Sequence, residues 1–135
     1  NNADATRARE AELARMRTTM SERIYFDYDR AEIRADSRAA LDRKTRIMRD
    51  EPTVRIRIEG HADERGSTEY NLALGNRRAD AVRAYITAAG ISSSRIEIVS
   101  FGEERPIERA RSESAWSRNR RAEFMVTAGA LTAGR

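Results

Sequence analysis

Arg78 stands where a fold alone would put an apolar side chain. At helical spacing, Leu74, Val82, Tyr85, Ile86 and Ala89 gather on one side of residues 69–89, and Asn71 and Arg78 fall within the same stripe. Arg77, Asp80 and Arg83 point away from it. A guanidinium on a buried face needs an anion, because an unpaired buried charge is very costly. Either a neighbouring loop supplies a carboxylate, which the pattern slightly favours, or a ligand brings one. Asp63 lies in the loop that leaves a strand and enters this helix, and loops at the carboxyl ends of strands are where α/β sheets bind ligands. It can pair with Arg78 or receive a cation. A ligand carrying both charges satisfies both residues: an amino-acid moiety would set its ammonium on Asp63 and its carboxylate on Arg78. The first-turn amides near Thr68 would add to the pull on that carboxylate. Asn71 serves as a helix-start hydrogen bonder in either case.

Other polar residues have simpler readings. Asp27 and Asp29 in FDYDR form a second acidic pair, suited to turn capping; the following RAEIRAD lacks the oxygen ligands and glycine of a calcium loop. His61, between Gly60 and Ala62, reads as a hydrogen-bonded structural histidine, with no serine or cysteine nucleophile motif beside it. Glu64 and Arg65 read as loop ion-pair partners, and Tyr70 and Trp116 as packing at the domain edge. Residues 119–121 can cap the last strand, contact the Asp63 loop or face solvent.

The elements that must position these residues follow from the pattern. Residues 5–20 read as a helix with a thin apolar stripe (Leu13, Met16, Met20), hence a stalk or loosely docked arm. A short strand is expected at 23–27, and an amphipathic helix at 36–50 that stops before Pro52. Val54, Ile56 and Ile58 alternate with Arg55, Arg57 and Glu59 in the clearest strand. The long helix over 69–89 ends at Gly90, and strands follow at 95–101 and 120–126 with a short helical segment near 114–119 between them. The order predicts an α/β (α+β) two-layer sandwich, βαβαββ, with helices on one face of a mixed sheet and an N-terminal helical arm before it. Residues 127–135 show no pattern and are expected to fray.

Composition sets the outer limits. The 135 residues suit one domain with a real core, and 36% of them are charged. With no cysteine and one histidine, disulfides, thiolate chemistry and multi-histidine metal sites are excluded. No apolar run approaches the roughly 18 residues of a membrane span. Residues 1–22 balance arginines against acids, so the net charge of +4 arises in residues 23–135. That modest excess is a weak pointer to a polyanionic partner.

Four blocks then carry a resemblance. IYFDYDRAEI (24–33), GHADERGSTEYNLALGNRRADAVRAYI (60–86), SFGEERPI (100–107) and AWSRNRRAEF (115–124) closely resemble the OmpA-like peptidoglycan-binding domain, and within it the peptidoglycan-associated lipoprotein branch of the Tol system. The resemblance covers residues 23–126. It implies a binding domain, not an enzyme, with no cofactor, that clasps the meso-diaminopimelate residue of the peptidoglycan stem peptide without covalent chemistry. Carried over by position, Asp63 and Arg78 meet the ammonium and carboxylate of the free diaminopimelate end, Asn71 and Leu74 lie beside them, and Asp29 is a further pocket acid. It also implies a location on the periplasmic face of the outer membrane and TolB-like and other Tol partners. Residues 1–22 would be a tether to an N-terminal lipid anchor that lies outside this sequence. Lys44 departs from the family, on a face where an apolar residue is usual.

The second reading is an envelope protein-interaction module whose main partner is TolB-like. Two classes rank lower. A nucleic-acid binder would concentrate arginines on one exposed helix face, and neither helix does. A hydrolase using Asp63 and His61 would lack a nucleophile and a second positioned carboxylate.

Overall fold

The computed structural model describes residues 1–132. A long helix α1 (Asn2–Ser21) precedes a two-residue strand β1 (Ile24–Tyr25), helix α2 (Arg38–Asp50) and strand β2 (Arg55–His61). Helix α3 (Thr68–Ala88), strand β3 (Ile96–Gly102), helix α4 (Glu113–Asn119) and strand β4 (Arg121–Ala128) complete the order. The sheet runs β1-β4-β2-β3, with β2 and β3 parallel and β4 antiparallel to both β1 and β2. This is the mixed two-layer architecture the alternating pattern predicts.

The alternation in β2 decides which sheet face is covered. Ile56 and Ile58 are paired with Ile96 and Ile98 on one side and with Val126 and Phe124 on the other, and both isoleucines are buried. Against this face α3 buries Leu74, Gly75, Ala79, Val82 and Ile86. The Ser67 hydroxyl caps α3 by accepting from the Tyr70 amide at 3.1 Å. At the far end Gly90, at φ 104°, donates to the Thr87 carbonyl and closes the helix.

β1 is shorter than its apolar run. Phe26 still donates to the Arg120 carbonyl at 2.9 Å, but the chain then turns, Arg30 donating to the Asp27 carbonyl and Asp29 adopting φ 57°. That turn carries part of the site.

Both termini are more integrated than the pattern predicts. The second half of α1 is docked, not a free stalk: Met20 is buried, and Leu13 and Met16 pack on the core. The Lys44 ammonium donates to the carbonyls of Thr19, Met20 and Glu22 at 2.7–2.9 Å and lies 4.0 Å from the Phe124 ring centre. A thin stripe suffices because backbone carbonyls, invisible in side-chain patterning, supply the rest. β4 extends to Ala128, and Leu131 in the turn that follows is buried while its carbonyl accepts from Arg17. The expected fraying therefore does not extend to residues 127–132, and residues 133–135 lie outside the described residues.

Candidate functional site

Helix α3 sets the floor of the site. Asn71, Leu74 and Arg78 are spaced three and four residues apart, so they stack along one helix face. The β1–α2 turn brings Asp27 to Arg30 over that face, and the loop leaving β2 brings Asp63. All five residues singled out in the sequence (Asp29, Asp63, Asn71, Leu74 and Arg78) line one cleft of about 150 Å³, together with Tyr28, Arg65 and Tyr70.

Arg78 has no exposed surface. Its Nε donates to the Arg30 carbonyl at 2.8 Å, Nη1 to the His61 carbonyl at 2.9 Å and Nη2 to the Asp27 carbonyl at 3.1 Å. A guanidinium has five N–H donors, so two are not used by these carbonyls. Among the described residues Arg78 makes no ion pair. The internal salt bridge that the pattern slightly favoured is absent, and neutral carbonyls take its place. Burial, and then the charge of Arg120, lower the Arg78 pKa to about 10, with Asp63 and Asp29 pulling it back, so the side chain is charged at neutral pH.

Asp63, 4% exposed, is paired with its own loop. Its Oδ1 accepts from the Arg65 amide at 3.0 Å and from Arg65 Nε at 3.2 Å, and Oδ2 accepts from Arg65 Nη2 at 2.9 Å. Burial works to raise its pKa, but the hydrogen bonds from Arg65 and the charges of Arg65 and Arg120 outweigh it and hold the carboxyl below its usual value. Arg65 itself lies between two aromatic faces, 4.0 Å from the Tyr28 ring centre and 4.1 Å from that of Trp116. Asp29 accepts a hydrogen bond from the Tyr70 hydroxyl across the cleft mouth. Asn71 donates to Glu103 at 2.9 Å, tying the helix start to the loop after β3.

The sequence reading understated three side chains. Arg65 is the main partner of Asp63, and Tyr70 and Trp116 border the cleft chemistry. Arg120, the middle residue of the 119–121 run, is buried with Nη1 3.6 Å from Asp63 Oδ2 and without a hydrogen bond on that nitrogen. Of the three roles open to that run, contact with the Asp63 loop is the one Arg120 takes. Asn119 instead holds the amides of Ile107 and Glu108.

His61 also differs from expectation. Its ring is 1% exposed and stacked on Phe101 with centroids 5.6 Å apart, yet neither ring nitrogen has a hydrogen bond, and Glu59 Oε1 stands 3.5 Å from Nε2. Its backbone, through the carbonyl that holds Arg78, is what it gives the site. Among the described residues no cluster of acids and histidine is placed to hold a metal ion, and no helix is long and apolar enough to cross a membrane.

Comparison with known proteins places these observations. The OmpA family model matches residues 25–120. The chain is 48% identical over 103 residues to the peptidoglycan-associated lipoprotein of Rhizobium meliloti, covering 76% of this chain and 58% of that protein. It is 42% identical over 101 residues to the protein of the same name in Pseudomonas aeruginosa, covering 75% and 60%. The chain thus spans about three-fifths of the length of these curated relatives. Among solved structures, the peptidoglycan-associated lipoprotein from Burkholderia pseudomallei superposes with a TM-score of 0.76 at 37% identity, over 78% of this chain and 89% of that one. The C-terminal domain of Helicobacter pylori MotB shares the fold, with a TM-score of 0.73 at 22% identity, over 81% and 86% of the two chains.

Proposed function

This chain belongs to the OmpA family, and from that membership and the paired charges of the cleft we propose that it binds peptidoglycan non-covalently through the diaminopimelate residue of the stem peptide. Arg78 carries the reading. It is a fully buried guanidinium with no carboxylate partner among the described residues, beneath a cleft whose walls hold Asp63 and Asp29. A zwitterionic amino-acid end supplies the missing anion and at the same time a cation for the carboxylates. The ammonium is received by Asp63, with Asp29 nearby, and the carboxylate is drawn by Arg78, which has two N–H donors that the three carbonyls do not use. Asn71 and Leu74 shape the floor.

In this reading residues 23–126 form the wall-binding domain on the periplasmic side of the outer membrane. Residues 1–22 lead from it toward a lipid anchor. The test is a calorimetric or NMR titration with a stem peptide containing meso-diaminopimelate, with the lysine-containing peptide as control. Saturable binding of the first alone is expected; no binding of either by the folded protein would overturn the assignment.

One observation favours an additional protein partner. Tyr28 and Tyr70 line the cleft and are exposed to 56% and 42%, an aromatic rim suited to a protein surface. A TolB-like partner would dock there and compete with the stem peptide, which a competition titration with purified TolB-like protein measures.

A further inference from the structure

We infer that Arg65 is a gate on this site: its guanidinium occupies the place on Asp63 that a ligand ammonium needs, and binding requires it to move along an aromatic slot to Glu113. The inference rests on the reading of the cleft as the diaminopimelate site.

Three observations carry it. First, Asp63 is not a waiting carboxylate. Arg65 grips both oxygens through Nε and Nη2, at 3.2 and 2.9 Å, and Arg65 is part of the cleft lining. A bidentate guanidinium–carboxylate pair is among the stronger side-chain contacts, so an incoming ammonium competes with it instead of adding to it. Second, the guanidinium sits between the Tyr28 and Trp116 rings, which hold it through their faces wherever its edge points. The Trp116 indole is itself fixed by donating to Glu64 at 3.1 Å. Third, a second anion stands near: Glu113 Oε2 is 3.8 Å from Arg65 Nη2, while its Oε1 accepts from Arg120 Nη2 at 2.9 Å. A small swing within the slot exchanges Asp63 for Glu113 without unstacking the cation. The departing charge is not stranded, and Arg120 Nη1, 3.6 Å from Asp63 Oδ2, keeps one cation against that carboxylate throughout.

The device makes the site selective. A ligand that offers a carboxylate alone cannot release Arg65, whereas one with a free amine exchanges one cation for another at Asp63. The tests use the 135-residue protein, a stem tripeptide ending in meso-diaminopimelate, and the same tripeptide acetylated on its free side-chain amine. Arg65→Gln is expected to bind the amine peptide roughly tenfold more tightly than the parent, the worth of about one charge-assisted hydrogen bond, and to leave affinity for the acetylated peptide unchanged. Glu113→Gln removes the charge on the open side while keeping an acceptor for Arg120; it is expected to weaken binding in the parent and to have no effect when combined with Arg65→Gln. Unchanged or weaker binding by Arg65→Gln, where the parent binds, overturns the gate and makes Arg65 a bystander or a direct contact. Binding by neither the parent nor Arg65→Gln removes the diaminopimelate reading and the gate with it. Binding by the variant alone supports a gate held shut.

Discussion

Gly60 of β2 and Gly75 of α3 meet backbone to backbone. A Cβ on Gly60 would lie 1.7 Å from the Gly75 carbonyl oxygen, and one on Gly75 would lie 2.2 Å from Ser100 Oγ and 2.8 Å from the Gly60 oxygen. The long helix therefore rests on the sheet at the closest approach that peptide groups allow. Gly75 falls between Leu74 and Arg78, so this contact sets how deep Asn71 and Arg78 stand beneath the cleft.

Gly75→Ala is expected to lower stability by about 3 kcal/mol, since a methyl group must push the helix off the sheet or displace Ser100. Stem-peptide binding should fall as well, because Arg78 moves with the helix. Denaturant unfolding at unchanged m-value, paired with the titration, measures both. Adding Ser100→Gly removes the shorter of the two clashes and should recover part of the loss.

Arg78→Lys keeps the charge but loses the planar fork that serves three carbonyls. Stability should fall by about 1–3 kcal/mol as carbonyls of Asp27, Arg30 and His61 lose donors. Affinity for the diaminopimelate peptide should fall tenfold or more. An unaltered affinity would mean that Arg78 only braces the turn.

His61 makes the fold acid-sensitive. Burial, followed by the charge of Arg121, lowers its pKa from 6.5 to about 4, against the opposing pull of Glu123 and Glu59. The unfolded chain therefore takes up a proton near pH 6.5 that the folded chain refuses until about pH 4, and stability falls across that window as pH drops. The loss is on the order of 3 kcal/mol at most. His61→Phe, which keeps a ring against Phe101, should flatten the slope between pH 6.5 and 4 in urea unfolding series.

Lys44→Met keeps the volume and the packing against Phe124 but removes the donors at the end of α1. Carbonyls of Thr19, Met20 and Glu22 then lose their shared partner, and faster hydrogen exchange should appear in the last turn of α1 and in residues 22–24. The core amides of β2 should be unaffected. Burial lowers the Lys44 pKa to about 7, so in the parent protein the latch loses charge as pH rises through neutrality.

Much of this architecture was legible because it is written in periods. The alternation through Ile56 and Ile58 gave the core-facing side of β2, although Glu59 on the side expected to be wet is buried too, and the stripe through Leu74, Val82 and Ile86 gave the face of α3 and marked Arg78 as out of place. The partner of Arg78 was not legible, because backbone carbonyls leave no trace in a string of side chains. For the same reason Lys44 looked like a packing fault, although it holds a helix end. The Asp63–Arg65 pair was hidden differently: the two residues are two positions apart in the loop, and only its curvature turns the Arg65 guanidinium back onto the Asp63 carboxylate. Arg120, distant from Asp63 in sequence, was one of several readings until the sheet order set the start of β4 beside the β2 loop.

That sheet order also dictates when the cleft can exist. The turn that covers Arg78 follows directly on β1, and β1 has one strand to hold, β4, through Ile24 against Ala122 and Phe26 against the Arg120 carbonyl. Nearly the whole chain must be made before that closure, since the two halves of the contact come from opposite ends of the sequence. The site and the core thus share one interior strand: β4 anchors the turn over Arg78 and also supplies Ala122 and Phe124 to the core, so a chain truncated before residue 121 is expected to lose both.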